Sequence, residues 1–232
     1  MDQEAVASQP SVSELRRERE RVEMTERIMD AAREMFVRDG YEAVTLRKIA
    51  LAIEYSPGAI YQYFKDKQTL VMTIIRKDSQ DLREHLLKCL TRDDPIEQLV
   101  EMARLYATWG IAHPNHYRLM LVPPPAWAEQ DRELHQQDIP LEQEVLSVLN
   151  VLVREAMQRG LVKERYTEPA LVAATLWAGI HGVVLLELTM SPEVRALLGG
   201  VDTQFEARFK TLREVFLDGF LNDDARRGTP QS

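Results

Sequence analysis

The sequence predicts an all-α fold, on three grounds. Apolar residues recur at the three-to-four-residue spacing of an amphipathic helix in window after window. No strand-sized window alternates apolar and polar residues with period two. Glycines, prolines and short polar clusters interrupt the periodic stretches where helices start or stop. About nine helices are expected from this spacing. A chain of 232 residues can bury a sizeable core in one or two domains without a disulfide or metal staple. Its 45% apolar and 28% charged composition is that of an ordinary globular protein. Cys89 is the only cysteine, which excludes an intrachain disulfide or a thiolate zinc cage and fits a reducing cytoplasm.

The opening residues, MDQEAVASQPS, have neither the basic start nor the apolar centre of a secretory signal, and 1–21 is expected to be a loose tail. Within it, ELRRERERVE alternates charge without an apolar stripe, as a solvated helical lead-in or an arm would. From about Glu23 a helical period begins with Ile28, Ala31, Ala32, Met35 and Phe36 and stops at Gly40. Two short helices follow, Leu46 to Ile53 and Gly58 to Phe64, joined by a tight connection. A long periodic segment runs from about Lys67 to Leu90, and Asp94 and Pro95 mark the next start.

Further stripes are Ile96, Leu99, Val100, Ala103, Tyr106, Ala107 and Gly110; Val145, Val148, Leu149, Leu152, Val153 and Ala156; and Phe205, Phe209, Leu212, Phe216 and Phe220. Val122 to Ala126 reads VPPPA and is expected to be a rigid surface loop. Pro169 to Leu188 is apolar nearly all round. It approaches the length of a membrane span, but His181 sits inside it and no basic anchor flanks it, so a helix packed within the protein or between copies is expected instead. Ala174, Ala178 and Gly182 recur every four residues along it and make one face thin enough for another helix to approach. That seam belongs to a core or to a subunit interface, and the aromatic stripe with Phe209 and Phe216 is a natural partner for either.

The net charge of −8 excludes a generally polybasic chain, but the charge is uneven. Residues 45–77 carry six basic and two acidic side chains, while the acidity is concentrated C-terminally. Thr45 suits an N-cap. Arg47 and Lys48 in the following turn oppose the helix dipole by a few tenths of a kcal/mol each, a sign that an external phosphate would reverse. In the next helix Ile60 and Phe64 are spaced to hold the inner face, leaving Tyr61, Gln62 and Tyr63 turned outward, where phenols can donate to phosphate oxygens. Ser56, Pro57, Gly58 and Ala59 form a small end that can enter a major groove, and Lys67 opens the next helix.

The stretch TLRKIALAIEYSPGAIYQYFKDKQTL resembles the helix-turn-helix of the TetR family of bacterial transcriptional regulators. It matches that family's pattern at Thr45, Ile49, Ala50, Ser56, Gly58, Ile60, Tyr61, Tyr63, Phe64, Lys67 and Leu70. The resemblance covers about residues 22–75. It implies a DNA-binding domain over 22–68, a ligand-binding and dimerisation domain over 69–222, and a C-terminal tail over 223–232. It also implies that Thr45, Lys48, Tyr61, Tyr63 and Lys67 grip phosphates while Arg47, Ser56, Pro57, Gly58 and Ala59 face base edges. The chain departs from the pattern at Ile53, Glu54 and Tyr55, where Ala, Gly and Val are usual. Glu54 then stands at a turn position that often has positive φ.

LWAGIHGVVLLEL is similar to the W-x-x-x-H-G segment of one TetR subgroup's C-terminal domain, with Trp177, His181 and Gly182 in place. The family likeness implies a cytoplasmic homodimer on a double-stranded operator, commonly a repressor, released by a small-molecule inducer and needing no cofactor or membrane. Trp109, His113, Tyr117, Trp127, Trp177 and His181 are candidates for lining a largely apolar inducer cavity, or else for core positions with satisfied polar atoms. His113 and His116 have Pro114 between them and no evident third ligand, so no metal site is expected. The chain lacks Glu-x-x-His, HExxH, G-x-S-x-G and phosphate-loop motifs, so a helical enzyme is disfavoured; a helical scaffold or partner-binding protein is the other alternative.

Overall fold

The computed structural model describes residues 11–121, 141–199 and 205–228. The proline run at 122–126 and Trp127 lie outside them. Among the described residues there are ten α-helices, two short 3-10 helices and no strand. The chain divides at Arg76 and Lys77 into two units. The boundary falls inside a helix whose start coincides with the expected division at 68.

In the first unit, α1 spans Val12–Asp39 and begins well before its apolar face does. Ser11 accepts from the Glu14 amide through its hydroxyl, and the Glu14 carboxylate accepts from the Ser11 amide at 2.7 Å. This reciprocal cap, followed by good helix formers, makes residues 12–21 helical, the solvated lead-in that the charge pattern allowed rather than a loose tail. Gly40, at φ 81°, stops the helix by bonding its amide to the Phe36 carbonyl. Ile28, Met29, Ala32, Met35 and Phe36 form the buried face.

Helix α2 (Leu46–Ala52) buries Leu46, Ile49 and Ala50. A single 3-10 turn, Ala59–Gln62, stands where a helix from Gly58 to Phe64 was expected. β-branched and aromatic residues weaken helix propensity there, and Ser56 already satisfies the Ala59 amide through both its carbonyl (3.0 Å) and its hydroxyl (3.2 Å). Helix α3 (Lys67–Leu86) starts at Asp66, whose carboxylate accepts from the Thr69 amide at 2.6 Å.

The second unit contains the end of α3, a 3-10 turn (Leu87–Thr91), α4 (Pro95–Ala112), α5 (Pro114–Leu121), α6 (Leu141–Gln158), α7 (Pro169–Thr189), α8 (Pro192–Gly199), α9 (Phe205–Phe220) and α10 (Asp223–Gly228). Asp94 caps α4 by accepting from the Ile96 and Glu97 amides, and Pro95 occupies the first turn where no amide is needed. Helices α4, α6 and α7 pack on one another, and α9 packs on α7. The core contains Leu105, Trp109, Tyr117, Leu152, Val153 and Val184.

The C-terminal end of α9 is clasped by the segment leaving α6. Val162 bridges Leu221, the Lys163 amide donates to the Phe220 carbonyl at 3.0 Å, and Arg165 and Tyr166 both donate to the Gly219 carbonyl. Residues 223–228, expected as tail, form α10, with the Asn222 side chain accepting from the Ala225 amide at 2.8 Å.

Helix α7 is the apolar segment of the sequence, and the protomer does not enclose it. It is long and apolar enough to cross a membrane by length and composition, with mean hydropathy 1.8 over its best window, yet only 17% of that window is buried. Ala173, Ile180 and Val184 face inward, whereas Leu171 is 68% exposed and Ala178 is exposed. The end of α7 is fastened by Arg118, which donates to the Leu188 carbonyl, and by an ion pair between Glu187 and Arg208 of α9.

Candidate nucleic-acid interface and ligand cavity

The first unit gathers the basic and phenolic candidates around α2 and the 3-10 turn. Thr45 caps α2, its hydroxyl accepting from the Lys48 amide at 3.2 Å. This places Arg47 and Lys48 exposed in the first turn. The Lys48 ammonium donates to the Ala43 carbonyl at 2.6 Å, while Arg47 has no ion-pair partner among the described residues. Ile60 (0% exposed) and Phe64 (4%) anchor the turn, and Tyr61 stands out at 57%. Ser56 and Gly58 are exposed, Pro57 and Ala59 half-buried.

Tyr63 is half-buried, and its ring meets that of Tyr55 edge-on with centroids 6.4 Å apart. A hydrogen bond with the Tyr55 hydroxyl raises the Tyr63 pKa, which favours the protonated Tyr63 phenol. Lys67 is already engaged. It lies 3.8 Å over the Tyr41 ring and donates to the Tyr41 carbonyl at 2.7 Å, and burial lowers its pKa. Tyr55 and Tyr41 carry these contacts; from sequence Tyr55 was noted only as a departure from the family pattern and Tyr41 was not singled out.

The turn between α2 and the 3-10 segment has the geometry of a helix stop that favours glycine. The Tyr55 amide donates to the Ala50 carbonyl at 2.8 Å and the Glu54 amide to the Leu51 carbonyl at 3.1 Å, the paired bonds of a Schellman motif. Glu54 adopts φ 58°, the only non-glycine among the described residues with positive φ. The left-handed conformation foreseen for this position is therefore retained without its usual glycine. Arg27 of α1 helps hold the turn by donating to the Ile53 carbonyl at 3.0 Å. Glu54→Gly is expected to stabilise the protein by about 0.5–1 kcal/mol, the left-handed penalty relieved less the entropy a glycine adds to the unfolded chain. A thermal melt with an unchanged or lower midpoint would contradict this.

In the second unit a cavity of about 80 Å³ lies between α4, α6, α7 and α9. Leu99, Ala103, Leu149, Ile180, Leu212 and Phe220 are among its apolar walls, and Tyr106, Trp177 and Arg213 bring the polar atoms. Phe209 (8% exposed) and Phe216, set down from sequence for the dimer seam, also line it. The Phe216 ring lies where a Cβ on Gly179 would stand 2.9 Å away, which fixes its direction toward α7 within the protomer.

Of the six ligand candidates, Trp177 is in the cavity wall, and Tyr117 and His181 stand behind Tyr106. The Tyr117 hydroxyl lies 2.6 Å and the Tyr106 hydroxyl 3.0 Å from His181 Nδ1, and the two hydroxyls are 3.1 Å apart. His181 is sandwiched between the rings of Trp177 and Tyr117, at centroid distances of 4.9 and 5.6 Å. Burial lowers the His181 pKa and raises that of Tyr117, so both side chains of this pair are held in their neutral forms. Tyr106 was read from sequence only as part of an apolar stripe; its hydroxyl partners come from α5 and from α7, the latter 75 residues along the chain.

Trp109 and His113 lie apart from the cavity lining. Their rings stack at 5.0 Å, and His113 Nδ1 donates to the Trp109 carbonyl at 2.9 Å. Among the described residues no three His, Cys, Asp or Glu side chains are grouped as a metal would require.

Two family models match the chain. One, described as bacterial regulatory proteins, tetR family, covers residues 28–73, and one described as Tetracyclin repressor-like, C-terminal domain, covers residues 99–210. The HTH-type transcriptional repressor Rv1474c of Mycobacterium tuberculosis is 40% identical over 53 residues, 23% of this chain and 28% of that protein. The HTH-type transcriptional regulator UidR of Escherichia coli K12 is 35% identical over 54 residues, again 23% and 28%. The chain thus spans under a third of the length of these curated relatives.

Likeness of fold extends further. The putative transcriptional regulator SCO4942 of Streptomyces coelicolor superposes with TM-score 0.61 at 25% identity, covering 84% of this chain and 97% of that one. A structure of AibR in complex with isovaleryl coenzyme A and operator DNA superposes with TM-score 0.63 at 15% identity, covering 82% and 96%. The fatty acid degradation regulator FadR of Bacillus halodurans gives TM-score 0.63 at 17% identity, covering 83% and 94%.

Proposed function

Since this chain belongs to the TetR family of bacterial regulatory proteins, we propose that it is a cytoplasmic transcriptional repressor that binds a palindromic operator as a homodimer and leaves it when a small, largely apolar molecule occupies the second unit. The observation that carries the DNA reading is the exposed Tyr61 on a turn nailed down by Ile60 and Phe64, beside the exposed cations Arg47 and Lys48. Two such turns, one per protomer, would enter successive major grooves at a spacing set by the dimer. Phosphate contacts come from Thr45, Lys48, Tyr61 and Tyr63, with Lys67 holding Tyr41 in place as well, and base edges are approached by Arg47 and Ser56 to Ala59.

The test is binding of a duplex from the DNA upstream of the gene, followed by fluorescence anisotropy at several salt concentrations. Arg47→Ala and Tyr63→Phe are each expected to weaken binding, by about 1–3 kcal/mol for a base-reading arginine and less for the phenol, with the fold intact by circular dichroism. Unchanged affinity in both would remove the DNA assignment in favour of a helical partner-binding protein.

The uncovered face of α7 supports the homodimer. Ala178 is exposed and a Cβ on Gly182 would meet nothing within 4 Å, so the two small residues, with Ala174 and Leu171 on either side, leave room for a second helix against an apolar strip. Burying that strip against its symmetry mate accounts for an apolar helix without invoking a membrane. Ala178→Trp leaves the protomer room to fold and is expected to convert dimer to monomer in sedimentation equilibrium. A dimer of undiminished affinity in that variant would move the interface elsewhere.

The cavity supports an inducer that is mainly hydrocarbon with one polar end. Its walls are aliphatic and aromatic, and the polar groups are confined to Tyr106, Trp177 and the Arg213 side.

A further inference from the structure

The first three turns of α1 take no part in the packing of the N-terminal unit, since residues 11–23 are exposed throughout. They are nonetheless held helical by the Ser11 and Glu14 cap, so at 1.5 Å per residue the stretch from Val12 to Ile28 makes a rod about 24 Å long. The four arginines among residues 11–23 are not equivalent. The Arg16 side chain pairs with Glu20 at 3.6 Å, and the Arg19 side chain turns back to donate to the Leu15 carbonyl at 3.4 Å. Arg17 and Arg21 have no ion-pair or hydrogen-bond partner for their side chains among the described residues. Glu14, the nearest acidic residue toward the N-terminus, is drawn onto Ser11.

Arg17 and Arg21 stand eleven and seven residues before Ile28, which is fully buried, so at about 100° per residue both lie within about 20° of the direction in which α1 meets the rest of its unit. The same side leads to the DNA-facing turn. The Arg21 charge acts on the Tyr63 hydroxyl.

We infer that Arg17 and Arg21 form a basic rail that binds backbone phosphates of duplex DNA outside the base pairs covered by the 3-10 turn, lengthening the stretch of operator each protomer protects. The partner is a polyanion carrying about one charge per 1.7 Å of helix axis, and the rail offers it two guanidinium groups, one helical turn apart, that make no ion pair among the described residues. The contacts position the protein and read no sequence. This inference rests on the DNA-binding reading above.

The experiment uses the full chain and a 40-base-pair duplex from the DNA immediately upstream of the gene, with affinity measured by anisotropy across a salt series and protection measured by hydroxyl-radical footprinting. The wild type, the Arg17→Ala/Arg21→Ala variant and an Arg16→Ala/Arg19→Ala control are compared. Removing the rail is expected to make the slope of log affinity against log salt shallower by about two, to weaken binding about tenfold at 0.1 M salt, and to shorten protection at the outer ends of the site while the centre stays protected. The control, of the same net charge, keeps the wild-type slope and footprint. If the wild type binds and the rail variant matches it, or if the control loses as much as the rail variant, the rail is overturned and the helix-turn-helix reading stands. If the wild type binds no duplex at any salt, both fall together.

Discussion

Truncating Phe64 to alanine is expected to abolish duplex binding and to unfold the N-terminal unit at a temperature where the wild type is intact. Phe64 is 4% exposed and is the second of the two anchors beneath a segment of only four 3-10 residues. Deleting a buried phenyl ring costs about 3–5 kcal/mol, transfer and cavity together. A domain's entire stability is on the order of 5–15 kcal/mol. Calorimetry of Phe64→Ala should show an early transition for this unit, whereas Phe64→Leu, which keeps most of the volume, should retain both the fold and much of the binding. A Phe64→Ala protein that melts and binds like wild type would show that the turn is held by something other than this anchor.

The second large effect is expected at Gly110. A Cβ there would stand 2.7 and 2.8 Å from Tyr117 ring carbons and 2.9 Å from a Val184 methyl. The ring cannot swing away cheaply, because Tyr117 is fully buried and its hydroxyl is held by His181 and Tyr106. Gly110→Ala is therefore expected to destabilise the second unit by about 1–3 kcal/mol through overpacking. It should also disturb the hydroxyl and imidazole cluster behind the cavity. Chemical denaturation monitored by tyrosine and tryptophan fluorescence would read the loss, and a midpoint equal to wild type would mean that α4 and α5 can part at no cost. Gly182→Ala, where the added methyl meets open space within the protomer, is the matched control for folding.

Much of the candidate interface was legible because its determinants are local. Thr45 three residues before the amide it caps, Ile60 and Phe64 one helical turn apart, and a non-glycine at the Glu54 turn can all be read within a ten-residue window. The early start of α1 was signalled by Ser11 and Glu14 in capping-box spacing, but a charged stretch without an apolar stripe does not announce a helix by periodicity. The partnership of Tyr106, Tyr117 and His181 joins residues 64 and 75 positions apart, and such pairings leave no spacing to find.

The direction of Phe209 and Phe216 was hidden for a related reason. An aromatic stripe on α9 fits an outer seam as well as an inner cavity; the notch at Gly179 turns Phe216 inward, and Phe209 is buried along the cavity wall. For α7, uniform apolarity does not say whether the helix is covered by its own chain or by another. The exposure of Leu171 and Ala178 shows that its own chain leaves that face uncovered.

The clasp on α9 makes one end of that helix a pivot. Bonds from Lys163, Arg165 and Tyr166 gather on its last carbonyls, while Phe209, Leu212, Phe216 and Phe220 line the cavity along its length. A guest that swells the cavity would then tilt α9 like a door on its hinge. At 1.5 Å per residue the door is about 24 Å tall, so a swing of about 5° carries its free edge about 2 Å and pulls, through Arg208 and Glu187, on the end of α7.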